Sequence, residues 1–131
     1  MTHISGSFEV KLTQQTAPEE IASANLGRMT INKRFTGELE AHSLGEMLAT
    51  GTAIQGSAGY VALERVTGSL QGRQGSFALM HFGTMNRGEA SLQLKVVPDS
   101  GTAALTGLSG EMTIDIRNGQ HFYGFDFSLP E

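Results

Sequence analysis

The stretch Gly110-Glu-Met-Thr-Ile-Asp-Ile-Arg-Asn-Gly-Gln-His-Phe-Tyr-Gly-Phe-Asp-Phe127 reads as one β-hairpin, and it decides the fold class. Asn118-Gly119 is a two-residue turn signal, because both central positions of a type I′ turn take positive φ. That turn pairs Arg117 with Gln120, Ile116 with His121, Ile114 with Tyr123 and Met112 with Phe125. Side chains alternate across a strand, so one face carries Met112, Ile114, Ile116, His121, Tyr123, Phe125 and Phe127. The other carries Glu111, Thr113, Asp115, Arg117, Gln120, Phe122 and Asp126. The first face is the interior.

The same two-residue period recurs along the whole chain. Phe8, Val10 and Leu12 alternate with polar neighbours in a first strand, and further strands run near 26–36, 38–52, 57–70, 74–86, 90–97, 110–117 and 120–129. Thr36-Gly37 reads either as a tight turn or as a bend in a longer strand. Residues 16–24 form the one helix-like stretch, with Thr16 and Glu19 in capping spacing and Pro18 at an early helical position. Eight sequential antiparallel strands with short turns predict a closed, mostly up-and-down barrel, which leaves no open sheet edge. Glycines at 45, 51, 56, 59, 68, 83 and 124 read as corners and points of close approach. With 131 residues and no linker or repeat, the expectation is a single domain spanning 1–131.

A second hairpin turns within Gln71-Gly-Arg-Gln74. A two-residue loop at Gly72-Arg73, or a four-residue loop over 71–74, pairs Val66 with Leu79 and sets Glu64 opposite His81. One face then holds Tyr60, Ala62, Glu64, Val66, Phe77, Leu79, His81 and Met85. The reverse holds Val61, Leu63, Arg65, Met80 and Phe82. Both faces bear large apolar residues, so this hairpin is expected to be covered on both sides.

Inside a greasy barrel, Glu64 and His81 are the candidate acid–base pair, with Tyr60, His121, Tyr123 and Phe125 as candidate ligand contacts. Burial raises a carboxyl pKa and a neighbouring His pulls it back, a balance suited to proton transfer. The plainer reading is a cross-strand pair that only satisfies itself, and for His121 a rim position half in solvent. Two inward His and one Glu resemble a mononuclear metal set, but no short-spaced ligand pair occurs, so no metal or other cofactor is expected. His3 is expected in a frayed terminus and His42 on a strand surface. The glycine-rich segment 100–110 lacks the order of a phosphate loop and is expected to link two strands. No Gly-x-Ser-x-Gly elbow is present.

Formal net charge is −4 with nine basic residues scattered among thirteen acidic ones, which argues against nucleic acid. There are no cysteines, which excludes thiolate chemistry and disulfides. No apolar run spans a bilayer and no signal-peptide pattern opens the chain, so cytoplasmic residence without membrane contact is expected. The apolar outer set Val61, Leu63, Met80 and Phe82 predicts a homo-oligomer interface, unless the 15–25 segment or a terminus covers it.

The segment Gly59–His81 resembles a bacterial family known as domain of unknown function 3224. Pro98-Asp-Ser-Gly-Thr102, Leu108-Ser-Gly-Glu-Met-Thr-Ile114 and Gly119-Gln-His-Phe-Tyr123 extend the likeness over nearly the whole chain. The resemblance implies a barrel similar to allene oxide cyclase and dirigent proteins, which handle small hydrophobic molecules inside or at the mouth of the barrel. One departure is Ala103, where the family more usually has Gly. The family brings no assigned activity, so no catalytic residue is carried over. The leading expectation is a barrel that binds a small hydrophobic molecule. The alternatives are an isomerase or cyclase using Glu64 and His81, and a ligand-free barrel acting through its outer surface.

Overall fold

A computed structural model describes residues 1–130. Strands β1 (Thr2–Gln15), β2 (Gly27–Gly37), β3 (Leu39–Gly51), β4 (Ala58–Leu70), β5 (Arg73–Asn86), β6 (Glu89–Val96), β7 (Ser109–Arg117) and β8 (Gln120–Ser128) follow one another around a closed antiparallel barrel. β8 returns to β1 through pairs from Thr2–Phe127 to Phe8–His121. The expected eight-stranded up-and-down barrel is the fold. β1 starts earlier than Phe8 alone suggests, and His3 is not frayed: it pairs with Asp126, its Nδ1 lying 2.6 Å from the Oδ1 of that residue. His42 lies exposed on β3, bonded to Asn32.

The last hairpin has the expected register, with Asn118 and Gly119 at φ 52° and 77°. The β4–β5 hairpin does not. Its turn is Gln71-Gly72, both at positive φ (49° and 81°), which pairs Leu70 with Arg73, Val66 with Phe77 and Glu64 with Leu79. His81 therefore faces Ala62. The register differs from expectation by two residues, so the period-2 faces survive and only the opposite partners change.

The interior is layered. At one end the reversal at Gly37-Glu38, the Gln71-Gly72 turn and the β6–β7 connection close over Phe35, Leu39, Leu70, Phe77, Phe125 and Phe127. The connection carries a short 3₁₀ turn, Ala103–Leu105, and drops Leu105 and Leu108 into the core like a stopper. At the other end the wall is ragged. β1 and β2 run on to Gln15–Arg28 after β8 has turned away at His121, so the inward-facing Leu12 is left exposed. Met85 and Ile116, also on interior positions, are exposed at the same mouth. Helix α1 (Glu19–Ser23) joins β1 to β2 there. The expected capping by Thr16 does not occur: Pro18 occupies the cap position and no side chain caps it.

Candidate functional site

Halfway down the barrel, four adjacent strands each turn one polar side chain inward: Lys33 on β2, Ser43 on β3, Glu64 on β4 and His81 on β5. Glu64 is 2% exposed, Lys33 4% and His81 6%, in the midst of Phe, Leu and Ile side chains. Such groups persist only if they satisfy one another. Glu64 Oε2 accepts from Lys33 Nζ at 2.9 Å and from His81 Nε2, and Oε1 accepts from Ser43 Oγ at 2.7 Å. No buried side-chain nitrogen or oxygen among the described residues lacks a partner. Lys33 Nζ also sits 5.0 Å from the centre of the Phe8 ring and 5.8 Å from that of Phe35.

Glycine makes the room. Glu64 faces Gly45 across β3–β4, and a side-chain carbon at Gly45 would collide with the Leu63 carbonyl and with Glu64 itself. Tyr60 faces Gly83 across β4–β5, and its ring lies over the bare glycine backbone. From there the Tyr60 hydroxyl reaches His81 Nδ1 at 3.4 Å. The outcome is a chain from the mouth inward: Tyr60, His81, Glu64, with Lys33 and Ser43 behind.

Burial pushes the Glu64 carboxyl pKa up, but the His81 hydrogen bond and the charge and hydrogen bond of Lys33, with a smaller contribution from the His81 charge when that ring is protonated, outweigh it and hold the group at about 2. Glu64 is thus a carboxylate at neutral pH, not the weakly perturbed acid expected from its apolar surroundings and one His. Lys33 is what that expectation lacked. Burial, with the Glu64 charge adding to it, raises the Tyr60 phenol, which stays protonated. A carboxylate can only accept hydrogen bonds, so His81 Nε2 carries a proton. A metal ion does not fit here, because the Lys33 ammonium occupies the side of Oε2 that a cation would take. No group of three metal-ligating side chains occurs among the described residues.

Above the cluster a recess of about 300 Å³ opens on the mouth, walled by Met47, Ala49, Tyr60, Gly83, Met85 and Leu92. Of the residues singled out in the sequence, Tyr60, Glu64 and His81 come together here. The other three lie apart. His121 packs on Phe8 at 5.2 Å, which separates it from Lys33, and lines a different groove with Ser7, Glu9, Arg34 and Gln120. Tyr123 belongs to the stoppered end, where its hydroxyl donates to the Thr36 carbonyl at 3.0 Å and accepts from the Leu39 amide at 3.3 Å, tying down the β2–β3 reversal. Phe125 is fully buried and stacks on Phe77, centroids 5.9 Å apart. Lys33 and Ser43 escaped sequence reading, although Met29, Ile31, Lys33 and Phe35 form an alternating inward stripe that a lysine interrupts.

Sequential topology, a stoppered end and a polar belt beneath an apolar mouth define a small closed up-and-down barrel with an open-ended interior. Residues 4–127 match the family described as "Protein of unknown function (DUF3224)", and the chain belongs to that family. It is similar to the crystal structure of a protein with unknown function from the same family, from Shewanella oneidensis MR-1 at 1.84 Å resolution. The two share 55% sequence identity and superpose with a TM-score of 0.93, over 100% of this chain and 99% of that one. Among curated proteins none matches the chain. No helix is long and apolar enough to cross a membrane.

Proposed function

We propose that the chain binds a small, largely apolar molecule in the mouth of the barrel. The observation that carries this reading is the recess of about 300 Å³, whose inward-facing side chains are apolar except for the half-buried Tyr60 that links it to Glu64 and His81, with Thr84 and Ser91 at its rim on outward strand positions. Ligand sites are mostly apolar with a few convergent polar groups, and this volume lies at the small end of their range. Acid–base isomerisation would draw on the same residues. Against it, a carboxylate held at about 2 and saturated by three donors is a poor proton acceptor at neutral pH. Glu64 and His81 therefore act as positioning residues for the Tyr60 hydroxyl, which is the polar group that meets the ligand.

The test is a fluorescence titration with a neutral naphthalene dye, for the wild type and for Ala49→Trp, which fills the recess. Saturable binding that Ala49→Trp weakens at least tenfold, with its melting temperature little changed, supports the reading. Equal binding by both proteins contradicts it.

A further inference from the structure

We infer that the recess is built for an apolar molecule carrying a hydrogen-bond donor, an alcohol or a phenol, whose O–H is received by the Tyr60 oxygen. This rests on the mouth being the binding site. The direction of each hydrogen bond follows from the group behind it. Glu64 receives Lys33, Ser43 and His81 and has only acceptor capacity, so the His81 proton is committed to Nε2. Lys33 already balances the Glu64 charge, so a neutral imidazole leaves this buried cluster without net charge. Its Nδ1 then bears a lone pair, and the Tyr60 O–H donates to it. That commits the one phenolic proton inward and turns the oxygen lone pairs to the recess. A ligand carbonyl or ether would face those lone pairs without a proton between them, whereas a ligand hydroxyl supplies one. Met47, Ala49, Gly83, Met85 and Leu92 bring no side-chain donor, and the two hydroxyl residues at the rim, Thr84 and Ser91, stand on outward positions of β5 and β6 and are exposed.

Naphthol, methoxynaphthalene and acetylnaphthalene have the same ring system and differ in donor capacity, so their affinities read the prediction directly. Naphthol should bind about three- to tenfold tighter than either of the others, the worth of one ordinary hydrogen bond. In Tyr60→Phe, which keeps the ring over Gly83, that ratio should fall to about one. Methoxynaphthalene or acetylnaphthalene binding as tightly as naphthol, or a naphthol preference that survives Tyr60→Phe, overturns the donor assignment while leaving the recess as the site. Failure of all three to bind overturns both.

A different observation carries a second proposal. The outer face of β3–β5 exposes Leu44, Leu48, Val61, Leu63, Met80 and Phe82 side by side, Leu63 and Phe82 at 60% and 59%. α1 borders this face through Ile21 but does not cover it. Half of six large side chains amounts to on the order of 500 Å². That is towards the upper end of the about 300–600 Å² of the largest patch on a monomer, and it suits the apolar centre of an interface of about 800 Å² per partner. One row across the sheet runs Glu46, Leu63, Met80, Lys95, so charged groups of opposite sign bracket its apolar middle, Glu46 beside Arg28 at 2.5 Å and Lys95 3.6 Å from Glu111, both in exposed pairs open to exchange. We propose that a second copy of this chain covers the face, about a twofold axis running along the strands between Leu63 and Met80. Glu46 of each copy then meets Lys95 of the other.

Sedimentation equilibrium should give a dimer for the wild type, a monomer for Leu63→Glu, a weakened dimer for Glu46→Lys, and recovery in Glu46→Lys combined with Lys95→Glu. A wild-type monomer, a larger ring, or a double exchange no better than the single one overturns this pairing.

Discussion

Lys33 decides the chemistry of the barrel interior more than Glu64 does. A carboxyl lowered from 4.5 to about 2 on folding stabilises the native state above its unfolded pKa, and that stabilisation is lost as pH falls towards about 2. For this buried group it is worth about 3 kcal/mol at neutral pH. Lys33→Met removes the cation and leaves burial less opposed, so the native pKa rises and the acid unfolding transition should move to higher pH. At neutral pH the variant should lose about 3–5 kcal/mol by urea unfolding, the usual cost of stranding one member of a buried pair. An unchanged acid transition would show that Lys33 does not hold the Glu64 charge. A second residue-scale effect is independent of the site. Ala103 has φ 51°, in the left-handed region that favours glycine. Ala103→Gly should raise stability by about 0.5–1 kcal/mol in thermal unfolding.

Among the elements, the two β-hairpins show why some registers could be read and others not. Asn118-Gly119 is an optimal type I′ pair, and every partner deduced from it is found in β7–β8. Gln71-Gly72 adopts the same positive-φ turn with a poor first residue, so Gly72-Arg73 looks equally eligible in the sequence. Gln71→Asn should therefore stabilise the β4–β5 hairpin by about 0.5–1 kcal/mol, visible as a higher melting temperature. No gain would mean that Gln71, bonded to Glu38 through side chain and backbone, owes its place to those contacts. Tyr60, Glu64 and His81 were legible because a two-residue slip preserves the faces. Lys33 and Ser43 were not, because a lone lysine on a strand is ordinarily read as solvent-facing. The glycines at 45 and 83 carried a usable signal: each marks where an inward polar side chain crosses to its neighbour strand.

For the whole molecule, the asymmetry between the barrel's ends accounts for where a ligand can go. Leu105, Leu108 and the Phe35–Phe77–Phe125 layer fill one end, whereas early departure of β8 leaves the other open over the polar belt. Neither the stopper nor the ragged mouth follows from alternation, since both depend on where strands end relative to their neighbours. The methionines sample these regions separately: Met47 and Met85 wall the recess, Met80 lies on the outer face and Met112 in the core. A titration with naphthol, followed by the methyl resonances of methionine labelled with carbon-13, tests the mouth as the binding site. The account predicts saturable shifts at Met47 and Met85 while Met80 and Met112 stay in place; shifts at Met80 alone, or at none of the four, would contradict it.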